Sequence, residues 1–238
     1  METYANMDDK TLKSLGIIKQ KEDNRYSVRL LGIGGILSGE HMQAIGTLSE
    51  QYAAGKVHLT ARQGVEIPHV PKEALDDLVS QLEAHGVQLG LTGPKVRGIT
   101  ACPGIHCTHG LIDAKNLAYQ VYDHTQGGRL LPHKFKIGIT GCINSCLKPM
   151  ENDLGIQGAG PDRYALYVGG KMGRRPRLGD KLPLTCHGTD CLMQAVSETI
   201  DWYSEHGEAK ERFGDTLDRV GVQSLTERLI TKEAAVAV

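Results

Sequence analysis

The sequence predicts an α+β fold in two consecutive units, and three observations predict it. Strand and helix patterns follow one another in the order β-α-β-β-α over roughly the first third of the chain. A Gly93-Pro94 step then breaks the pattern, and a longer mixed α/β stretch follows. The 238 residues, 40% hydrophobic and 23% charged, suffice for two small cores. The units are set at 1–92 and 93–238.

Residues 1–24 are charged and weakly patterned and read as an irregular lead-in. Alternation over 26–31 predicts a strand, which Gly32, Gly34 and Gly35 end. Met42, Ile45, Leu48 and Tyr52 stand near helical spacing, so 40–54 reads as a helix. Short strands are expected over 57–60 and 65–68. Leu75, Leu78, Val79 and Leu82 make 71–85 an amphipathic helix, stopped by Gly86. This order gives the first unit a ferredoxin-like character. In the second unit, strands are expected over 96–100, 135–140, 154–157 and 164–168, and helices over 111–122, 190–205 and 224–231. Residues 169–182 read as a basic, glycine-rich loop, and the tail from Lys232 as frayed.

A formal net charge of −1 gives no field that points to nucleic acid or a membrane surface. The N-terminus lacks an apolar signal region and no apolar run has transmembrane length, so a cytoplasmic protein is expected. In a reducing compartment, clustered cysteines serve metals or redox chemistry more often than structural disulfides.

Four of the six cysteines form two tight pairs. Cys102 and Cys107 enclose Pro-Gly-Ile-His, and Cys142 and Cys146 enclose Ile-Asn-Ser. Each pair lies in a Gly- or Pro-bearing turn after an expected strand. Thiolates ligate iron–sulfur clusters, and four complete a cubane. Four thiolates also suit a structural zinc site. Cys186 and Cys191 are left over, as a buried or incidental pair, a redox dithiol, or ligands swapped with the first pair.

At these residues the sequence resembles the sirohaem- and [4Fe–4S]-dependent sulfite/nitrite reductases, in a small, half-length form. That family carries Cys-x5-Cys followed by Cys-x3-Cys. Cys142 and Cys146 match the second pair, and the first is one residue shorter here. Thr60, Arg62 and Gln63 resemble the family's T-x-R-Q turn. Pro132, Lys134, Phe135 and Lys136 resemble its P-x-K-F-K segment. Glu211-Arg-Phe-Gly and Asp218-Arg-Val-Gly resemble its closing segment. The motifs run in order over about residues 25 to 225.

The resemblance implies a cluster- and sirohaem-binding second unit and six-electron reduction of sulfite to sulfide, or of nitrite to ammonia. It implies Cys102, Cys107, Cys142 and Cys146 as cluster ligands, with Cys146 bridging to the sirohaem iron. It places Arg29, Arg97, Lys134 and Lys136 around the anion and Arg62 on a sirohaem carboxylate. Read from the residues alone, Arg174 and Arg175, in a run with Lys171 and Arg177, either grip sirohaem carboxylates or an acidic electron donor, or form a solvated loop. His106, His109 and His133 are read as polar neighbours. The cofactor would be covered by this chain, by solvent, or by a dimer partner, which leaves a homo-oligomer open. The Gly32, Gly34 and Gly35 cluster lacks dinucleotide-fingerprint spacing, so electrons are expected from a separate low-potential donor protein. Two other readings remain open: a non-catalytic Fe–S carrier or sensor, and a zinc-stabilised interaction module.

Overall fold

The structure, a computed structural model, describes residues 3–125, 129–232 and 236–237. The chain divides into two compact units, Met1–Gly93 and Pro94–Val238.

The first unit opens with more order than its composition suggests. Helix α1 (Asp9–Ser14) is capped by Asp8, whose carboxylate accepts from the Thr11 N–H. Strand β1 (Ile17–Lys19) follows. Leu12 and Ile17 are fully buried, so two apolar anchors convert the expected irregular lead-in into a helix and an edge strand. Then come β2 (Arg25–Leu30), α2 (Gly39–Tyr52), β3 (His58–Leu59), β4 (Val65–Pro71) and α3 (Leu75–Ala84). The sheet order is β1-β2-β4-β3, with every pairing antiparallel. Leu75, Leu78, Val79 and Leu82 all face the core, as their spacing requires. On α2, Ile45 and Leu48 are buried but Met42 is exposed.

The second unit is built on a six-stranded sheet of order β10-β9-β8-β7-β6-β5. Its strands are β5 (Thr100–Ala101), β6 (Ile137–Thr140), β7 (Leu154–Gly160), β8 (Arg163–Val168), β9 (Asp180–His187) and β10 (Val236–Ala237). β5, β6 and β7 run parallel, and the remaining pairs are antiparallel. Helix α4 (Ala114–Thr125) connects β5 to β6, and α5 (Thr189–His206), α6 (Phe213–Val220) and α7 (Val222–Thr231) follow β9. Strand β9 takes over the end of the expected glycine-rich loop. Part of the frayed tail expected from Lys232 is strand β10; residues 233–235 and 238 lie outside the described residues. Phe135, Trp202, Tyr203 and Phe213 form an aromatic cluster with ring centroids 5.2 to 6.1 Å apart, tying the start of β6 to α5 and α6. Among the described residues no helix is long and apolar enough to cross a membrane.

Candidate metal centre

The two cysteine pairs leave the carboxyl ends of adjacent parallel strands. Thr100 pairs with Gly138 and Ala101 with Ile139, and the Cys102 N–H extends that ladder to the Ile139 carbonyl at 3.1 Å. Cys142 follows β6 through Gly141. Carboxyl ends of parallel strands are where open α/β sheets place ligands, because the loops there splay away from the sheet.

The loops are fastened to each other through backbone. The Leu111 N–H donates to the Gly141 carbonyl at 2.9 Å, and the Gly141 N–H donates to Cys102 Sγ at 3.0 Å. Such close approach requires glycine: a Cβ on Gly110 would stand 1.9 Å from the Gly104 carbonyl oxygen, and one on Gly158 would stand 2.5 Å from that of Gly141. The second loop holds Ser145 and Lys148 at positive φ (54° and 45°). Gln157, buried on β7, pins it by donating to Ser145 Oγ at 2.6 Å.

Cys102 and Cys142 are buried, whereas Cys107 and Cys146 are exposed. Ile105 and Ile143, in the two cysteine loops, are 55% and 76% exposed. Among the described residues, no three His, Cys, Asp or Glu side chains meet where one ion could be held. A cubane takes one thiolate at each iron, so its ligands stand apart around a cluster-sized space. Two buried and two open thiols on neighbouring loops fit the cubane arrangement, with the open side available to a second cofactor.

The expected anion-site residues of this unit lie at the other end of the same strands. The Arg97 N–H donates to the Phe135 carbonyl at 2.9 Å, which brings Arg97 beside Lys134 and Lys136. All three are half-buried. Burial lowers the His133 pKa, and the nearby charges of Lys134, Arg212 and Arg97 lower it further. Asp153, completely buried, accepts from the Lys136 N–H at 2.9 Å and from Arg212 at 2.7 and 2.8 Å. Burial raises the Asp153 pKa, and Arg212 opposes that rise. The Arg212 Nε is buried without a hydrogen-bond partner. From Lys136 to Cys142 the chain can span at most about 20 Å, with residues 137–140 in the strand. Unit two therefore gathers the thiols at one end of β6 and Arg97, Lys134 and Lys136 at the other.

In the first unit, Arg29 Nε pairs with Glu66 at 2.5 Å, so an anion binding there would compete with that carboxylate. Arg62 sits in a turn closed by the Gln63 N–H donating to Thr60 O and the Gly64 N–H donating to Thr60 Oγ1, each at 3.0 Å. In the basic loop, Lys171 pairs with Asp215, and Arg177 with Asp180 and Asp218, which makes both structural ties. Arg174 and Arg175 are exposed. Sequence reasoning missed the Asp153–Arg212 pair and the Gln157–Ser145 link. Arg212 lies inside the recognised closing motif; nothing local marks Asp153 or Gln157.

Comparison with known proteins matches both units. The family model described as nitrite and sulphite reductase 4Fe-4S domain matches residues 92–236. The one described as nitrite/sulfite reductase ferredoxin-like half domain matches residues 18–85. The chain is 37% identical to a coenzyme F420-dependent sulfite reductase of Methanocaldococcus jannaschii, over 90% of this chain and 44% of that protein. It is 24% identical to an assimilatory-type sulfite reductase of Nitratidesulfovibrio vulgaris, over 90% of this chain and 97% of that protein. The solved structure of the Mycobacterium tuberculosis NirA protein superposes with a TM-score of 0.84 at 18% identity, covering 97% of this chain and 48% of that one, and shares the fold. The chain spans about half the length of several curated relatives it matches, at 44%, 50% and 42% of theirs.

Proposed function

The chain belongs to the nitrite and sulphite reductase family, and on that premise we propose that it carries out six-electron reduction of a small oxyanion, sulfite to sulfide or nitrite to ammonia. The observation that carries this reading is the pair of thiol loops at adjacent strand ends, two sulfurs buried and two open. The family's cofactors are a [4Fe–4S] cluster and a sirohaem, and the residues present fit both. Cys102, Cys107, Cys142 and Cys146 would hold the cluster, and exposed Cys146 would hold the bridge to the haem iron. The exposed apolar side chains of Ile105 and Ile143 suit a tetrapyrrole face. When bound, these groups supply stored electrons and an iron position for the anion.

The chain's own contribution is charge and position. Lys134, Lys136 and Arg97 would attract the anion, and the lysine ammonium groups can donate protons to its oxygens. Asp153 fixes the Lys136 backbone and so aims its side chain. Arg29 and Arg62, in the first unit, would complete the anion and sirohaem-carboxylate contacts, with exposed Arg174 and Arg175 available to further carboxylates or to a separate electron-donor protein.

The distance along β6 bears on how such a site assembles. The cations and the thiols stand at opposite ends of β6, and we infer that a second copy supplies the cationic half of the site. The test mixes two inactive variants, Cys146→Ser and Lys136→Ala, during assembly. Partial return of sulfite- or nitrite-dependent turnover supports the shared site. Full activity of Cys146→Ser alone defeats the bridging role. Inactive single variants with no rescue on mixing defeat the shared site while leaving the reductase reading intact.

A further inference from the structure

Two thiols stand apart from the metal centre, and they touch. Cys186 ends β9 and is fully buried, while Cys191 lies half-buried in the first turn of α5. The chain turns between them at Gly188, whose φ is 83°, and the two thiol groups are hydrogen-bonded to each other. The corner is held from outside as well. The Gly188 N–H donates to the Asp162 carbonyl at 3.0 Å. Tyr164 pairs with Cys186 in the β8–β9 ladder and donates its hydroxyl to Asp162 at 2.9 Å. The strand, the turn and the helix thus hold the two sulfurs in contact, and neither belongs to the cluster loops.

We propose that Cys186 and Cys191 are a reversible dithiol–disulfide pair, oxidised by exchange with a low-molecular-weight disulfide. Cys191, the partner open to solvent, loses its proton and attacks one sulfur of the small disulfide; a mixed disulfide forms and one small thiolate leaves. Cys186 then gives up its proton and attacks Cys191 Sγ; the protein disulfide forms and the second small thiolate leaves. Two electrons pass from the protein to the small disulfide, and the two protons are taken up by the departing thiolates. Burial, with Cys191 adjacent, pushes the Cys186 thiol well above its ordinary range, which suits the resolving rather than the attacking role.

The location gives the pair a consequence. Thr140, Gln157, Ala165 and Thr185 stand in one register row across β6, β7, β8 and β9. Cys186 lies just past that row at the rim that also carries Cys142, about 14 Å away across three strand spacings. Oxidation would staple β9 to α5 on the rim that bears the metal-binding loops.

The test uses the purified full chain in glutathione buffers of increasing disulfide content, followed by alkylation and peptide mapping. The tryptic peptide 182–210 contains Cys186, Cys191 and no other cysteine, so the cluster thiols do not enter the reading. The expected result is an unalkylated 182–210 peptide lighter by two hydrogens, which regains both alkylation sites after dithiothreitol. The Cys186→Ser chain should instead keep glutathione on Cys191. The proposal is overturned if both thiols stay alkylatable in the most oxidising buffer, or if wild-type peptide accumulates glutathione adducts without the internal bond. The wild-type map alone decides, whether or not the variant folds.

Discussion

Asp153 shows how much a single residue settles here. Its carboxylate is completely buried, yet it holds the Lys136 backbone and the Arg212 guanidinium at once. Removing one partner would strand a buried charge, a loss of about 3–5 kcal/mol. Glu211, next to Arg212 in the chain, gives a sharper pH prediction. Arg219 hydrogen-bonds Glu211, and with help from the Glu208 N–H and Thr216 its pKa falls to about 2. A carboxyl depressed on folding contributes stability that is present above its unfolded pKa, about 4.5, and lost as the pH drops towards about 2. Denaturant unfolding of wild type and Glu211→Gln should therefore differ at neutral pH and converge through that acid window. A gap that stays constant with pH would show that Glu211 acts by packing alone. The paired cysteines marked the cluster-bearing unit in the sequence, and the family model for a 4Fe-4S domain covers that stretch. Gln157 was not legible, because an amide buried on a strand looks like any polar residue until the loop it pins is seen.

At the scale of elements, the strand and helix periods of the first unit read well. Strand β2 and helices α2 and α3 fall within a few residues of their expected places. The misses have physical causes. Helix α1 is too short to show a period and depends on its Asp8 cap. Strand β9 was hidden by Pro183, which stands in the stretch where the β8–β9 register shifts and a residue without an N–H is tolerated. Helix α6 is a short element with Gly214 near its start, and buried Phe213 and Leu217 place it. The glycines between the thiol loops make the element-scale prediction. In Gly158→Ala the new methyl would press on the Gly141 carbonyl that receives the Leu111 N–H. An overpacking cost of about 1–3 kcal/mol should spread the two loops. Iron and acid-labile sulfide per chain should drop well below wild type while far-ultraviolet circular dichroism is retained. Full iron loading in this variant would mean that the loops tolerate separation.

For the whole molecule, two units recur in an order that the family models also match, a half-length ferredoxin-like unit and a cluster-bearing unit. The second unit separates its sulfurs from its cations along one strand, a separation invisible in the sequence, where Lys136 and Cys142 are close neighbours. An extended strand sets residues a few positions apart in sequence at its two ends. The central claim is that these thiols hold a [4Fe–4S] cluster coupled to sirohaem. Its most direct test is an anaerobic visible absorption spectrum, with iron and acid-labile sulfide measured on the same sample from a host that makes sirohaem. The account predicts sirohaem bands together with cubane-level iron and sulfide. A colourless protein holding zinc and no iron would contradict it, and an iron–sulfur spectrum without tetrapyrrole bands would contradict its haem half.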